Sequence, residues 1–299
     1  MRVGLIGFGK TGVPVASVLL KDPTMQLVWV VRKSDVKAHQ SATEFLDIPC
    51  DDPAVIVTAG EIGAQQLLND HPVDVIIDFS SEEGLDYYLD AAAARRVNVV
   101  TAISHYSEAQ QQKLRRLSQS SAVLWSPNIT VGVNFLILAA QSLRRIAPKA
   151  DIEILEEHFK LKDGVSGTAK LICEALEVCE SEIKSVRAGG IIGVHEILFG
   201  FPYQVVRLRH ESISREAFGD GARFAAVGLA GKMPGLYTMQ DLMAPMFASA
   251  PPVRRRERAR RRGFTLRRAP ESRVRVERAA ALPDQTPVGS SVSGQVLEE

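Results

Sequence analysis

Between Glu153 and Ala169 the sequence EILEEHFKLKDGVSGTA gathers the residue types that proton transfer and anion binding require. His158 and Lys162, four residues apart, are two groups able to move protons. Four residues further on, Ser166-Gly167-Thr168 opens an apolar series at helical spacing: Ala169, Leu171, Ile172, Ala175, Leu176 and Cys179. A helix start presents backbone N–H groups and a favourable dipole, and here a hydroxyl from Ser166 or Thr168 can cap it. Upstream, Ile154 and Leu155 predict a strand that gives way to a polar run. Strand, cationic loop and helix start together make an anion site bracketed by His158 and Lys162. The same residues also fit a solvated charge run closed by a helix cap, and this stretch alone leaves both open.

A second cluster stands at the N-terminus. In MRVGLIGFGKTG an apolar run enters a glycine turn, with Gly7, Gly9 and Gly12 at the G-x-G-x-x-G positions. An apolar helix over 13–20 and a strand over 27–31 complete a β-turn-α-β unit of dinucleotide-binding length. Glycines let the backbone approach a pyrophosphate, and the helix start supplies amide donors. Where an acid would hold a ribose 2′-hydroxyl, the second strand ends on Arg32-Lys33, which would attract a 2′-phosphate. NADPH is therefore the expected cofactor, with NADH possible. A rival motif overlaps, because Gly4 to Thr11 fits G-x-x-x-x-G-K-T and VDVIID resembles a strand ending on a magnesium-binding Asp78. A phosphate loop needs a strand before its first glycine, and only Met1-Arg2-Val3 precede Gly4.

The elements that must carry these clusters alternate. Strands are predicted over 55–58, 73–79, 97–101 and 123–125, with helices over 64–69, 83–94 and 108–118 between them. That alternation implies a mostly parallel, doubly wound sheet with ligand residues beyond the carboxyl ends of its strands. Ser80-Ser81, the turn Ala102-Ile103-Ser104-His105 and Ser126-Pro127-Asn128 stand at those ends. An apolar helix begins at Val133, and a predicted helix over 171–179 follows the His158 stretch. Strands over 183–187, 193–199 and 204–212 come next, with no long helix between them. A helix over 214–229, a loop over 231–237 and a short helix over 239–246 complete the pattern. The fold class is α/β: an N-terminal Rossmann-like parallel sheet plus a C-terminal α+β domain with a mixed or antiparallel sheet. The expected division is a dinucleotide-binding domain over 1–126, with 233–247 packing back on it, and a substrate-binding and oligomerisation domain over 127–232.

At 299 residues, 45% hydrophobic and 24% charged, the chain has the size and composition of a soluble protein of two domains. The net charge of +1 conceals a split: residues 251–299 carry twelve Arg, no Lys and six acids, leaving residues 1–250 at −5. This Arg-rich tail has few large apolar residues and is expected to be disordered and functionally idle, without nucleic-acid binding. Cys50, Cys173 and Cys179 form no CxxC pair, and two of them share one predicted helix, which points to a reducing compartment. No run is long and apolar enough for a membrane span, so a cytoplasmic protein is expected. No His, Cys or Asp cluster has metal-ligand spacing, and no metal is expected. His39 and His71 sit in polar loops and are expected to be exposed. His195 and His210 lie on strands as hydrogen-bonded structural residues, whereas His105 falls in a strand-end turn where a ligand would lie.

Taken jointly, these motifs resemble the 4-hydroxy-tetrahydrodipicolinate reductase (dihydrodipicolinate reductase) family over about Met1 to Met246. The family signature E-[IV]-x-E-x-H-x-x-x-K-x-D-x-P-S-G-T-A is met by Glu153, Ile154, Glu156, His158, Lys162, Asp163 and Ser166-Gly167-Thr168-Ala169. Asp78-Phe79-Ser80, Asn128 to Asn134, Arg187-Ala188-Gly189, Gly193 to His195, His210 to Arg215 with Phe218, and Gly231-Lys232 fall in order around it. The resemblance implies nicotinamide-dependent reduction of a cyclic imine dicarboxylate in the diaminopimelate route to lysine, by a homotetramer joined through its second sheet. It makes His158 and Lys162 the acid/base and orienting pair, and gives a substrate carboxylate to Ser166, Gly167 and Thr168. It assigns the pyrophosphate to Gly7, Gly9, Lys10, Thr11 and Gly12, and the 2′-phosphate to Arg32 with Lys33. The nicotinamide falls to Phe79, Ser80, Thr101, Ala102, Ser104, Ser126 and Asn128.

Four departures stand out. The usual second histidine is Phe159, and the segment between Lys162 and Ser166 is one residue short and lacks the proline. Ala102 to His105 replaces the usual glycine-threonine-threonine-glycine turn, and the arginine tail replaces the usual C-terminal end. A related reductase or dehydrogenase of another amino-acid-derived substrate, or a non-catalytic nucleotide-binding homologue, stays open as an alternative.

Overall fold

The computed structural model describes residues 1–33 and 41–248. The expected tail and His39 lie outside the described residues. The first sheet is built from β1 (Arg2–Ile6), β2 (Gln26–Arg32), β3 (Val55–Thr58), β4 (Val75–Asp78), β5 (Asn98–Thr101), β6 (Ala122–Trp125) and β11 (Gly235–Tyr237). Its order is β11-β6-β5-β4-β1-β2-β3, and every pairing is parallel. Helices α1 (Gly12–Lys21), α2 (Ala42–Leu46), α3 (Ala64–Asp70), α4 (Gly84–Arg95) and α5 (Glu108–Leu117) connect these strands. Two apolar clusters sandwich the sheet, one around Val3, Leu5, Val30 and Ile77 and the other around Trp29, Ile76, Tyr88 and Val99. A parallel sheet covered on both faces needs near-continuous apolar strands, and all four residues of β4 are buried. Gly4 is buried inside β1, so it opens no phosphate loop.

Strand order reverses between β4 and β1, the switch point where open parallel sheets bind ligands. The loops leaving these two strands carry Gly7 and Phe79-Ser80.

The second sheet has the order β10-β9-β7-β8, from β7 (Asp151–His158), β8 (Ile183–Arg187), β9 (Val194–Gly200) and β10 (Val205–Glu211). It is mixed, with β7 parallel to β8 and antiparallel to β9. Helices α6 (Val131–Ile146) and α7 (Gly167–Leu176) share with it a core around Val133, Ile154, Ile172 and Phe199. Helix α8 (Glu216–Leu229) returns to the first sheet through Ala222, Ala225 and Leu229, and α9 (Met239–Ala248) follows β11.

Several expectations are corrected. The loop expected over 231–237 contains β11, which extends the first sheet beside β6. Three residues are too short for a hydrophobic period to reveal. The strand ahead of the polar run continues to His158, because Glu156 and His158 alternate inward with Ile152 and Ile154. The following helix ends at Leu176, where Glu177 takes a left-handed φ of 53°, so Cys179 is exposed and outside it. Short α2, capped by the Ser41 hydroxyl, was not anticipated.

Candidate active site

The glycine turn is shaped by contact. Gly7 has φ 93°, and a methyl group there would sit 2.7 Å from the Phe79 carbonyl and the Ser80 nitrogen. One on Gly12 would lie 1.8 Å from the Gly7 carbonyl oxygen, whereas nothing stands within 4 Å of one on Gly9. The first and last glycines thus close the turn, and the middle one leaves open space over the start of α1. That start has no side-chain cap. A cleft of about 750 Å³ opens here, lined by Gly7, Gly9, Arg32, Lys33, Phe79 and Ser80 among others. Two cations and a glycine turn on one cleft fit a phosphorylated dinucleotide. Glu83 lines it too, its carboxyl held below the usual range by the Ser81 hydroxyl and more weakly by Lys33.

A second cleft of about 380 Å³ is lined by Thr11, Phe79, Ser80, Ala102, Ser104 and His105, together with Pro127, Ile129 and Phe218. The expected nicotinamide residues divide here. Thr101 is fully buried and its hydroxyl pairs with that of Tyr106 at 2.7 Å, while the Ser126 hydroxyl donates to the Asn128 carbonyl at 2.6 Å. Those two side chains turn into the protein. Lys10 is exposed, and neither it, Gly12 nor Asn128 lines either cleft. Asp78, also fully buried, accepts from the Ser80 nitrogen at 2.9 Å, the Ser80 hydroxyl at 2.6 Å and the Tyr88 hydroxyl at 2.9 Å. Burial pushes its pKa up to about 6 against those hydrogen bonds. It anchors the Ser80 turn and leaves no carboxylate for magnesium.

The third assembly is at the end of β7. Glu156 is 0% exposed, and its carboxylate pairs with Nδ1 of His158 at 2.5 Å. It also accepts from the Ser185 hydroxyl at 2.6 Å and from both terminal nitrogens of Arg187, at 2.9 and 2.5 Å. Burial alone would raise its pKa, but the bonds from Arg187, Ser185 and His158 outweigh this and hold it at about 2. A carboxylate only accepts, so His158 presents Nδ1–H to it and keeps Nε2 as its free acceptor. Burial draws the His158 pKa below its usual value, against the upward pull of Glu156. Ser166 stands at the N-cap of α7, yet its hydroxyl makes no cap; it lies 3.0 Å from Nε2 of His195. Thr168 falls inside the helix and its hydroxyl accepts from Asn128 Nδ2 at 2.7 Å. His195 is depressed to about 3, first by burial and then by the charges of His158 and His210.

His158, Ser166, Gly167 and Thr168 are therefore brought together, and the Asn128–Thr168 bond joins them to the strand-end loops of the first sheet. Lys162 is half-buried on the intervening loop, which Arg187 holds through its carbonyl. Glu156, Ser185 and Arg187 were not anticipated as site residues. The signal for Glu156 was present: with Ile152, Ile154 and His158 it keeps the period of two that marks an inward strand face. Ser185 and Arg187 are distant in sequence and come near only through the parallel β7–β8 register, where His158 faces Arg187. His195 is hydrogen-bonded, as expected; His71 is exposed, as expected.

A family profile described as dihydrodipicolinate reductase, N-terminus, matches residues 1–129, and one described as dihydrodipicolinate reductase, C-terminus, matches residues 132–243. A 4-hydroxy-tetrahydrodipicolinate reductase of Caldanaerobacter subterraneus subsp. tengcongensis is 35% identical over 192 residues, 57% of this chain and 76% of that one. That of Syntrophus aciditrophicus is 32% identical over 263 residues, 79% of this chain and 96% of that one. Among solved structures, dipicolinate-bound dihydrodipicolinate reductase from Paenisporosarcina sp. TG-14 superposes with a TM-score of 0.66 at 23% identity, over 81% of this chain and 98% of that one. This last likeness concerns the fold.

Proposed function

The chain belongs to the dihydrodipicolinate reductase family, and from that membership we infer that it reduces 4-hydroxy-tetrahydrodipicolinate in diaminopimelate and lysine biosynthesis. It is an NAD(P)H-dependent oxidoreductase. The observation that carries the reading is the Asn128–Thr168 bond of 2.7 Å, which ties the Glu156–His158–Ser166 assembly to the loop that follows β6 of the first sheet.

The turn that Gly7 and Gly12 close, under two basic residues, fits a dinucleotide, which supplies hydride when bound. Gly7, Gly9, Lys10, Thr11 and Gly12 hold its pyrophosphate, and Arg32 with Lys33 favours a 2′-phosphate, hence NADPH over NADH. Phe79, Ser80, Ala102 and Ser104 flank the nicotinamide end, with Thr101, Ser126 and Asn128 contributing shape and backbone. Loss of the substrate's hydroxyl as water leaves a conjugated cyclic imine; Lys162 draws in this dianion and gives a proton to the carbon beside the one that takes up hydride. His158, its Nδ1–H fixed by Glu156, orients the substrate through Nε2. Gly167 and Thr168 offer first-turn N–H groups, and the Ser166 hydroxyl a donor, to a substrate carboxylate. A hydroxyl has one proton, so Ser166 can give it to the substrate only while accepting from His195 Nε2–H.

The same reading divides the chain into a dinucleotide-binding domain over 1–126, joined by 233–247, and a substrate domain over 127–232. It takes the molecule as a cytoplasmic homotetramer. Cys50, Cys173 and Cys179 are free, in keeping with a reducing compartment. Among the described residues no helix is long and apolar enough to cross a membrane.

The test is oxidation of NADPH and NADH by purified protein given freshly prepared substrate. Lys162→Ala should lower kcat/KM on the order of 10²–10⁴-fold. No oxidation by the wild type sinks the reading. Phe159, 44% exposed where a second histidine is usual, favours a second reading, a related amino-acid-derived substrate. Rescue of a diaminopimelate-requiring reductase mutant would rule that out.

A further inference from the structure

We propose that Arg187 is a positioning residue of this reaction: one guanidinium holds the Lys162–Gly164 loop in place and, through Glu156, aims the ring of His158. The proposal rests on the reductase reading of the site and concerns how two of its groups are kept in register.

A guanidinium has five N–H donors in a planar fork, and here each has an acceptor. Nε donates to the Lys162 carbonyl at 3.1 Å. Nη1 donates to Glu156 Oε2 at 2.9 Å and to the Val186 carbonyl at 2.8 Å. Nη2 donates to Glu156 Oε1 at 2.5 Å and to the Gly164 carbonyl at 2.7 Å. Because the fork is rigid, the buried carboxylate and the two loop carbonyls are fixed relative to one another. Glu156 fixes the proton of His158 on Nδ1, and β7–β8 pairing sets Arg187 opposite that histidine. The loop so held is the one that is a residue short and without proline, and it turns through Gly164 at φ 61°. Stiffness that a ring would have given along the chain comes from a side chain across the sheet. Lysine could not replace it: an ammonium has three donors at one point and cannot span a carboxylate and two separated carbonyls.

The charged and titratable groups facing His158 are Glu156 on its own strand, Arg187 from β8, Lys162 from the loop and His195 from β9. Glu156 raises the His158 pKa, whereas Arg187 and Lys162 lower it. Glu156→Gln and Arg187→Met should therefore move the His158 midpoint in opposite directions, down and up respectively.

The experiment uses the full chain. Imidazole C–H resonances are titrated by NMR in wild type, E156Q, R187M and R187K, and binding of pyridine-2,6-dicarboxylate and of NADPH is measured by calorimetry. R187M should weaken the dicarboxylate on the order of 10–100-fold, raise KM and lower kcat, with NADPH binding changed less than about twofold. R187K should bring the His158 midpoint back toward wild type without restoring dicarboxylate affinity, which a merely structural charge would restore. If R187M loses NADPH binding, it has misfolded and R187K decides. Wild-type dicarboxylate affinity in the arginine variants, or shifts of the same sign in E156Q and R187M, overturns the proposal. A wild type that neither binds the dicarboxylate nor turns over overturns the reductase reading instead. The ligand-free titrations still judge the strut in that case.

Discussion

Two histidines whose rings lie 5.4 Å apart at one end of the second sheet both have their pKa values lowered by burial, with different partners to offset it. His158 has a carboxylate partner that partly offsets its burial; His195 has only a hydroxyl, and its Nδ1 has no partner among the described residues. The unfolded imidazole of His195 takes a proton near pH 6.5 and the folded one only near 3. Its contribution to stability is therefore complete above pH 6.5 and is lost as pH falls toward 3, reaching about 2 kcal/mol at pH 5. Asp78 acts with opposite sign, since its folded pKa of about 6 lies above the unfolded 3.8 and favours the fold as pH falls through that window. His195→Gln should consequently show a smaller drop in thermal midpoint between pH 7 and pH 5 than wild type. Equal drops would show that His195 does not carry the acid sensitivity.

At the scale of elements, the glycine turn separates packing from ligand access. Gly12→Ala drives a methyl into the Gly7 carbonyl and should cost about 1–3 kcal/mol of stability as well as NADPH affinity. Gly9→Ala meets nothing within 4 Å, so it should melt like wild type while weakening NADPH about tenfold or more, by crowding the pyrophosphate. Melting curves and calorimetry on the pair separate the two effects; equal melting of both variants would refute the assignment. The turn was legible because G-x-G-x-x-G names its own geometry. Strand β7 was only half legible, since Glu156 and His158 have the polarity of a loop and the alternation of a strand, and polarity misled. Strand β11 left no signal at all, because an edge strand of three residues is defined by the neighbour it pairs with.

For the whole molecule, the described elements end with α9 at Ala248, and residues 251–299, with twelve Arg and six acids, lie outside the described residues. Deleting 251–299 should leave kcat/KM within about twofold and reveal no salt-dependent nucleic-acid binding to lose. A large loss of activity would give the tail a role. The mostly parallel, doubly wound sheet, the glycine turn and the His158–Lys162–Ser166 series followed from the sequence alone. Each is a local pattern, carried by the period of apolar residues or by the conformational freedom of one residue type. Which side chains surround His158 was decided only by the tertiary structure. Ser185 and Arg187 reach Glu156 from 29 and 31 residues away, and the Ser166 hydroxyl leaves the helix it should cap for a histidine 29 residues on. The register of paired strands sets such meetings, and no spacing along the chain encodes them.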